Sequence, residues 1–236
     1  MENHLALEAH KFDFNFCIVN KNNNTSAGTN MISIAAIEQD ILKKYKTFFS
    51  DGGISPDVLT LGSGYPMALV FAGLADQYAI FIYAESLFAS IYIIYSGQIA
   101  FCRSFALDSE EPESNVKKNL IYTYLSFNEH FKNRISLNCI AISGTAPFLD
   151  SLAQNIETHI QEKVQVFNIF EALDIWSDKD NFNSQHYDMT QNAIALAEIE
   201  IKEMDRYNFN PKVSGFTDFY QEHKSGFISS MLLLII

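Results

Sequence analysis

The stretch from Ala79 to Leu107 limits the fold more than any other part of this chain. It reads AIFIYAES, then LFASIYIIY, then a Ser96-Gly97 turn, then QIAFCRSFAL. β-Branched and aromatic residues dominate all three pieces, which predicts strands. The two-residue Ser-Gly connection is hairpin chemistry. Three strands in sequence with short connections make an antiparallel meander.

The flanking sequence surrounds this meander with alternating elements. Residues 12–19 (FDFNFCIV) alternate apolar and polar before turning apolar, which predicts a strand buried on at least one face. The run NKNNNTSAGTN at 20–30 is a polar loop, and MISIAA at 31–36 is a second strand. Ile37, Ile41, Leu42, Tyr45, Phe48 and Phe49 recur at helical spacing, with Gly52 and Gly53 placed to end that helix in a left-handed cap. Pro56 leads into a strand, DVLTL, and 65–74 is a short apolar helix. Beyond the meander come an acidic loop (107–115), an amphipathic helix (116–131) and a buried strand (136–143) halted by Gly144. A helix with Pro147 near its first turn runs to about His159. A strand at 164–170 and an Ala-rich helix at 190–204 complete the order. The fold class is therefore α/β, with an antiparallel hairpin added to a parallel sheet.

At 236 residues the chain fits one large domain or two lobes sharing a core. Its net charge of −12 opposes nucleic-acid binding, which needs Lys and Arg against phosphates. The same field repels an anionic membrane, so membrane association is expected through apolar insertion. Cys17, Cys102 and Cys139 are far apart and each sits in an apolar run, which suggests buried, reduced thiols in a cytoplasmic protein. No signal peptide opens the sequence. His130, His159 and His186 have no partner at metal spacing, and no P-loop, G-x-S-x-G or G-x-G-x-x-G motif occurs. No cofactor is expected. Glu110-Glu111 reads as a solvated loop tip, LGSG (61–64) as a weak phosphate-friendly piece, and Trp176 as a loop or contact residue. The tail FISSMLLLII (227–236) is uncharged over half the length that a helix needs to span a bilayer. It reads either as the start of a transmembrane helix, the favoured reading, or as a last element packed on the core.

Three segments together resemble a known family, the actin-like proteins of bacterial pilus and secretion machines: PilM of type IV pili and the cytoplasmic part of GspL of type II secretion. They are the helix Ala36–Phe49 with GGISPDVLTL, the meander with its Gly97 turn and Arg103, and the strand–Gly–helix element CIAISGTAPFLDSL. The resemblance covers about residues 12–204 and implies an actin-like (ribonuclease H-like) mixed sheet with flanking helices. It also implies that the family's first phosphate loop, which would precede Phe12, is lacking. In nucleotide-binding relatives the meander begins with an Asp two residues before a Gly, followed by a hydroxyl residue. Here Tyr83, Glu85 and Ser90 stand at those positions, and Gly144-Thr145 is what remains of a glycine run in the adenosine element. A carboxylate at Glu85 would face phosphate with like charge. These are vestigial nucleotide-site positions, and the chain is expected neither to bind nor to hydrolyse ATP.

Asp205–Pro211 (DRYNFNP) is similar to the start of PilN-like partners and to the lead-in to the GspL membrane helix. By that resemblance Tyr207, Asn208, Phe209 and Pro211 form a docking segment whose aromatic residues insert into a groove on this or a neighbouring domain. The alternative is a plain linker with an Asn-Pro turn. The expected organisation is an actin-like domain (1–204), a linker or docking segment (205–226) and an apolar tail (227–236). The leading function is a non-catalytic scaffold at the cytoplasmic face of a bacterial inner membrane. It would recruit a secretion or pilus assembly ATPase and bind inner-membrane platform proteins, with self-association into a homodimer left open. The competing readings are an actin-like ATPase or sugar-kinase-like enzyme truncated at its N-terminus, and a soluble binding domain.

Overall fold

The computed structural model describes residues 9–18, 32–62, 64–75, 78–130, 137–160, 162–175, 184–204 and 207–209. The polar run 20–30, Trp176, Pro211 and the tail 227–236 lie outside them, as does the side chain of His186. The chain divides into two compact units, one of residues 16–34 and 61–206 and the other of 1–15, 35–60 and 207–236.

The larger unit is built on a five-stranded sheet. Its strands are β3 (Ala79–Ala84), β4 (Phe88–Tyr95), β5 (Gln98–Ala106), β6 (Cys139–Gly144) and β7 (Val164–Val166), in spatial order β5-β4-β3-β6-β7. The first three pair antiparallel, while β3–β6 and β6–β7 are parallel, so the mixed sheet expected from the sequence is present. Ser96 (φ 51°) and Gly97 (φ 75°) both turn left-handed, as a tight hairpin between β4 and β5 requires.

The two faces of this sheet carry different cores. On one, Ile80, Ile82, Ile91, Ile140 and Ile142 pack with Val116 and Leu120 of α3 (Pro112–His130) and with Leu152 and Ile156 of α4 (Leu149–Ile160). On the other, Phe71 of α2 (Tyr65–Leu74) lies 5.3 Å from Phe81 and 5.3 Å from Phe167, ring centre to ring centre. Helices α5 (Ile169–Ala172) and α6 (Ser184–Ile201) complete this unit.

Several boundaries differ from those expected. Helix α3 starts at Pro112 rather than 116, because Pro fits a first helical turn, and Glu113 behind it ties α3 to α4 through Ser151 and Asn155 (both 2.6 Å). The acidic loop shrinks accordingly. Pro147 lies in the turn ahead of α4 rather than inside it. Cys102 is exposed rather than buried because β5 is an edge strand; Cys139 is half-buried, and desolvation raises its thiol pKa above the ordinary value.

The smaller unit contains α1 (Gln39–Asp51). This helix ends as Gly52 and Gly53 predict. Gly53 is left-handed (φ 68°), its N–H donates to Ser50 O, and the Ile54 N–H reaches Phe49 O at 2.8 Å. Residues 57–61 join no sheet ladder among the described residues; Leu59 bonds to Asn208 and Phe209 instead. Strands β1 (Phe12–Ile18) and β2 (Ile32–Glu38) pair as a separate two-stranded sheet. The buried face expected of β1 is not found: Phe14 and Phe16 are exposed, while Asp13 and Asn15 are half-buried. Those two polar side chains have partners, Asp13 accepting from Gln39 Nε2 (3.3 Å) and Asn15 donating to Asn208 O (2.5 Å). A two-stranded sheet is too narrow to cover both its faces.

Candidate functional site

Ligands of open α/β sheets collect at the carboxyl ends of the parallel strands. Here those are the ends of β3 and β6, and the chain order brings the sequence-predicted positions together there. Tyr83 is aligned with Ser90 on one side and Ser143 on the other, and Ser90 with Ser104, so one row of side chains crosses four strands on one face. Ser90 is fully buried and shares a hydrogen bond of 2.8 Å with Ser104 Oγ. Arg103, one residue along, belongs to the opposite face and does not converge on Tyr83.

Tyr83 fills the centre of this site. Its ring lies against the bare backbone of Gly64, the left-handed residue (φ 80°) that precedes α2; a Cβ at Gly64 would come within 2.1 Å of Tyr83 Cγ. The phenol donates to Glu85 Oε1 (3.0 Å) and accepts from Asn192 Nδ2 of α6 (2.8 Å). Glu85, at the position a phosphate-binding glycine would take, closes the β3–β4 hairpin by donating its N–H to Phe88 O (2.9 Å).

The second element expected to be vestigial, at Gly144 and Thr145, is filled as well. At Gly144 (φ 132°) the chain passes so close to β3 that a Cβ would lie 2.0 Å from Ala84 O. The following amides, Thr145 N–H and Ala146 N–H, both donate to that carbonyl, at 2.9 and 3.1 Å. Consecutive N–H groups of this kind form a nest that would suit an anion; here a backbone carbonyl of the same chain takes it.

The expected docking residues Tyr207, Asn208 and Phe209 lie in the smaller unit. Tyr207 and Phe209 are buried, Asn208 Oδ1 accepts from Leu59 N (3.2 Å), and Phe209 N–H donates to Leu59 O (2.7 Å). With the Asn15–Asn208 bond, the structure brings two of the four expected docking residues, Asn208 and Phe209, onto Leu59 and Asn15 of the same unit.

Gly64, Asn192, Leu59 and Asn15 are the members that sequence reasoning missed. LGSG signalled Gly64, and an Asn inside an Ala-rich helix, where it is disfavoured, signalled Asn192. Nothing local marked the other two. Of the histidines, the His159 ring meets Asn155 O at 2.8 Å. No group of His, Cys, Asp and Glu among the described residues could hold a metal ion, and no described helix is long and apolar enough to cross a membrane.

No protein-family profile and no curated protein matches the chain. Among solved structures, a chain of the PilM–PilN type IV pilus biogenesis complex superposes with a TM-score of 0.59 and 15% identity, over 84% of this chain and 67% of its own length. A protein of actin-like ATPase fold and unknown function from Bacteroides thetaiotaomicron VPI-5482 is 17% identical with a TM-score of 0.40, over 75% of this chain and 63% of its own. This chain therefore spans about two thirds of each. At 15% identity the likeness to the pilus-complex chain is one of fold, and the chain has the mixed α/β sheet that the meander and its flanking elements anticipate, in the actin-like architecture that the family resemblance implies.

Proposed function

We propose that this protein is a non-catalytic scaffold of a type IV pilus or secretion assembly platform at the cytoplasmic face of the inner membrane. In this reading it recruits an assembly ATPase and links it to membrane subunits. The observation that carries the non-catalytic half is Tyr83, whose ring packs on Gly64 and whose hydroxyl is held by Asn192 and Glu85. Phosphate would have to displace a packed aromatic ring and approach a carboxylate, while the nest amides are already paired within the chain. The fold likeness to a pilus biogenesis complex supports the platform half.

Titration calorimetry with ATP, with and without magnesium, tests the first half; no binding is expected, and a micromolar Kd would overturn it. Affinity purification of the full chain from its own cells tests the second. An assembly ATPase and inner-membrane platform subunits are expected in the eluate, and their absence from cross-linked samples would remove the platform role.

A further inference from the structure

The five-stranded sheet ends in two unlike edges. Strand β7 has three residues and is blunted by its shortness, whereas β5 runs for nine, with no proline and with Arg103 as its one charge. Strand β5 pairs with β4 on one side alone. Which of its backbone groups face outward follows from the ladder. Leu107 N–H donates to Leu87 O, so that opposed pair is hydrogen-bonded. Bonded and unbonded pairs alternate, and Phe88–Ala106, Ser90–Ser104 and Tyr92–Cys102 are therefore the unbonded ones. Ala106, Ser104 and Cys102 turn their N–H and C=O groups away from β4. The bond from Glu85 N–H to Phe88 O gives the same phase, since it directs the β4 residue opposite Ala106 toward β3. Nothing among the described residues meets these three N–H and three C=O groups, and the three side chains are exposed. Nearer the hairpin the edge changes, because a bulge at Ala100 breaks the register between Phe101 and Ile99.

We infer that β5 pairs with β5 of a second copy of the chain, antiparallel about a two-fold axis at Ser104, so that one sheet runs through both. The phase selects this register. With Ser104 opposite itself and Cys102 opposite Ala106, every outward N–H and C=O of the two strands finds a partner. Arg103 then falls opposite Phe105 of the second copy, a guanidinium beside an aromatic ring, and Phe101 falls opposite Leu107. An axis at Arg103 would set two guanidinium groups against each other. An axis at Cys102 would bring Ser104 opposite the bulge. The other side of the new ladder carries only the small side chains of Cys102, Ser104 and Ala106. This self-match favours a second copy over a foreign strand, and an isologous contact closes at two copies. Two chains of net charge −12 repel over distances that salt screens, so association tightens as salt rises. The inference does not rest on the platform reading, nor on the uncharged tail.

The test is sedimentation equilibrium of the full chain over about a 100-fold range of concentration, where a monomer–dimer equilibrium that shifts toward dimer in salt is expected. A charge swap at the exposed positions Cys102 and Ala106 reads the register. Cys102→Lys/Ala106→Lys opposes like charges twice and should raise the dimer Kd by about 10-fold or more, while Cys102→Lys/Ala106→Glu opposes unlike charges and should restore it. Ala106→Pro removes one outward N–H at the end of the strand and spares the ladder to β4, so it too should weaken the dimer, without any change at Cys102. Melting temperatures near that of the parent show that the variants fold. A chain that is monomeric at every concentration, a dimer that loosens in salt, or one that both the Lys/Lys and the Pro variant leave intact overturns the proposal. So does a monomer whose Lys/Lys variant no longer copurifies with platform subunits, which would mark β5 as an edge for another protein's strand. The ATP titration involves none of these residues, so failure here and failure of the scaffold reading are separable.

Discussion

Every side chain of β3 from Ala79 to Ala84 is buried, whereas α1, thirteen residues long, buries only Leu42. Composition is part of the difference, since β3 is apolar throughout while α1 sets Ile41, Leu42, Tyr45, Phe48 and Phe49 among eight polar or charged residues. Position is the rest. Strand β3 is central, with β4 on one edge, β6 on the other and a core on each face. Helix α1 lies in a unit of few described elements. The five-stranded unit therefore spends its apolar residues on stability, and α1 leaves Ile41, Tyr45 and Phe48 exposed.

The comparison breaks most visibly if the five-stranded unit tolerates a change at its tightest point. Gly144→Ala would place a methyl 2.0 Å from Ala84 O at a φ of 132°, which only glycine adopts readily. A loss of about 4 kcal/mol or more is expected, read by urea denaturation. A near-neutral result would mean that β3 and β6 do not close on each other there. Next in size is Ile82→Ala, at a fully buried position against α3 and α4, with an expected cost of about 3 kcal/mol. A cost below about 1 kcal/mol would say that this core is loosely packed.

The same contrast decides how much could be read from the sequence. The meander was legible because its cues are local: strand-forming runs, a Ser-Gly turn, and Gly144 after an apolar strand. The case against phosphate binding could be framed at Tyr83 and Glu85 from residue type alone, and it stays a proposal that the ATP titration tests. What fills the site was not legible, since Gly64 and Asn192 reach Tyr83 from elements distant in sequence. β1 misled for a related reason. Alternation names two faces without saying which is covered, and here the polar Asp13 and Asn15 are the more buried. DVLTL has strand composition, yet its described partner is Asn208-Phe209, some 149 residues away in the chain.

That long-range pairing gives the third prediction, which sharpens the comparison within the smaller unit. Asn208→Ala removes the acceptor of the Leu59 amide and leaves that N–H without its partner. The expected cost is about 1–2 kcal/mol. Hydrogen exchange should localise it, with protection falling at Leu59 and Phe209 and unchanged in β3 and β6. Loss of protection throughout β3 would mean that the two units unfold as one.

The smallest effect is expected at Phe48, and it is the most exacting check. The side chain is 72% exposed, so truncation to Ala opens no cavity and returns little surface to water. It does remove an edge-on contact with Phe49, whose ring centre lies 5.7 Å away, a contact of the kind worth about 0.5–1 kcal/mol. Against this, Ala is the better helix former by roughly half a kcal/mol. The two terms oppose each other, so Phe48→Ala should change stability by less than about 0.5 kcal/mol and move the Tm by no more than about 2 °C. A loss approaching that of Ile82→Ala would show that something already covers Phe48 in solution. If that loss also diminished on dilution, the cover would be a second copy of the chain, and α1 would belong with β3 as a buried element.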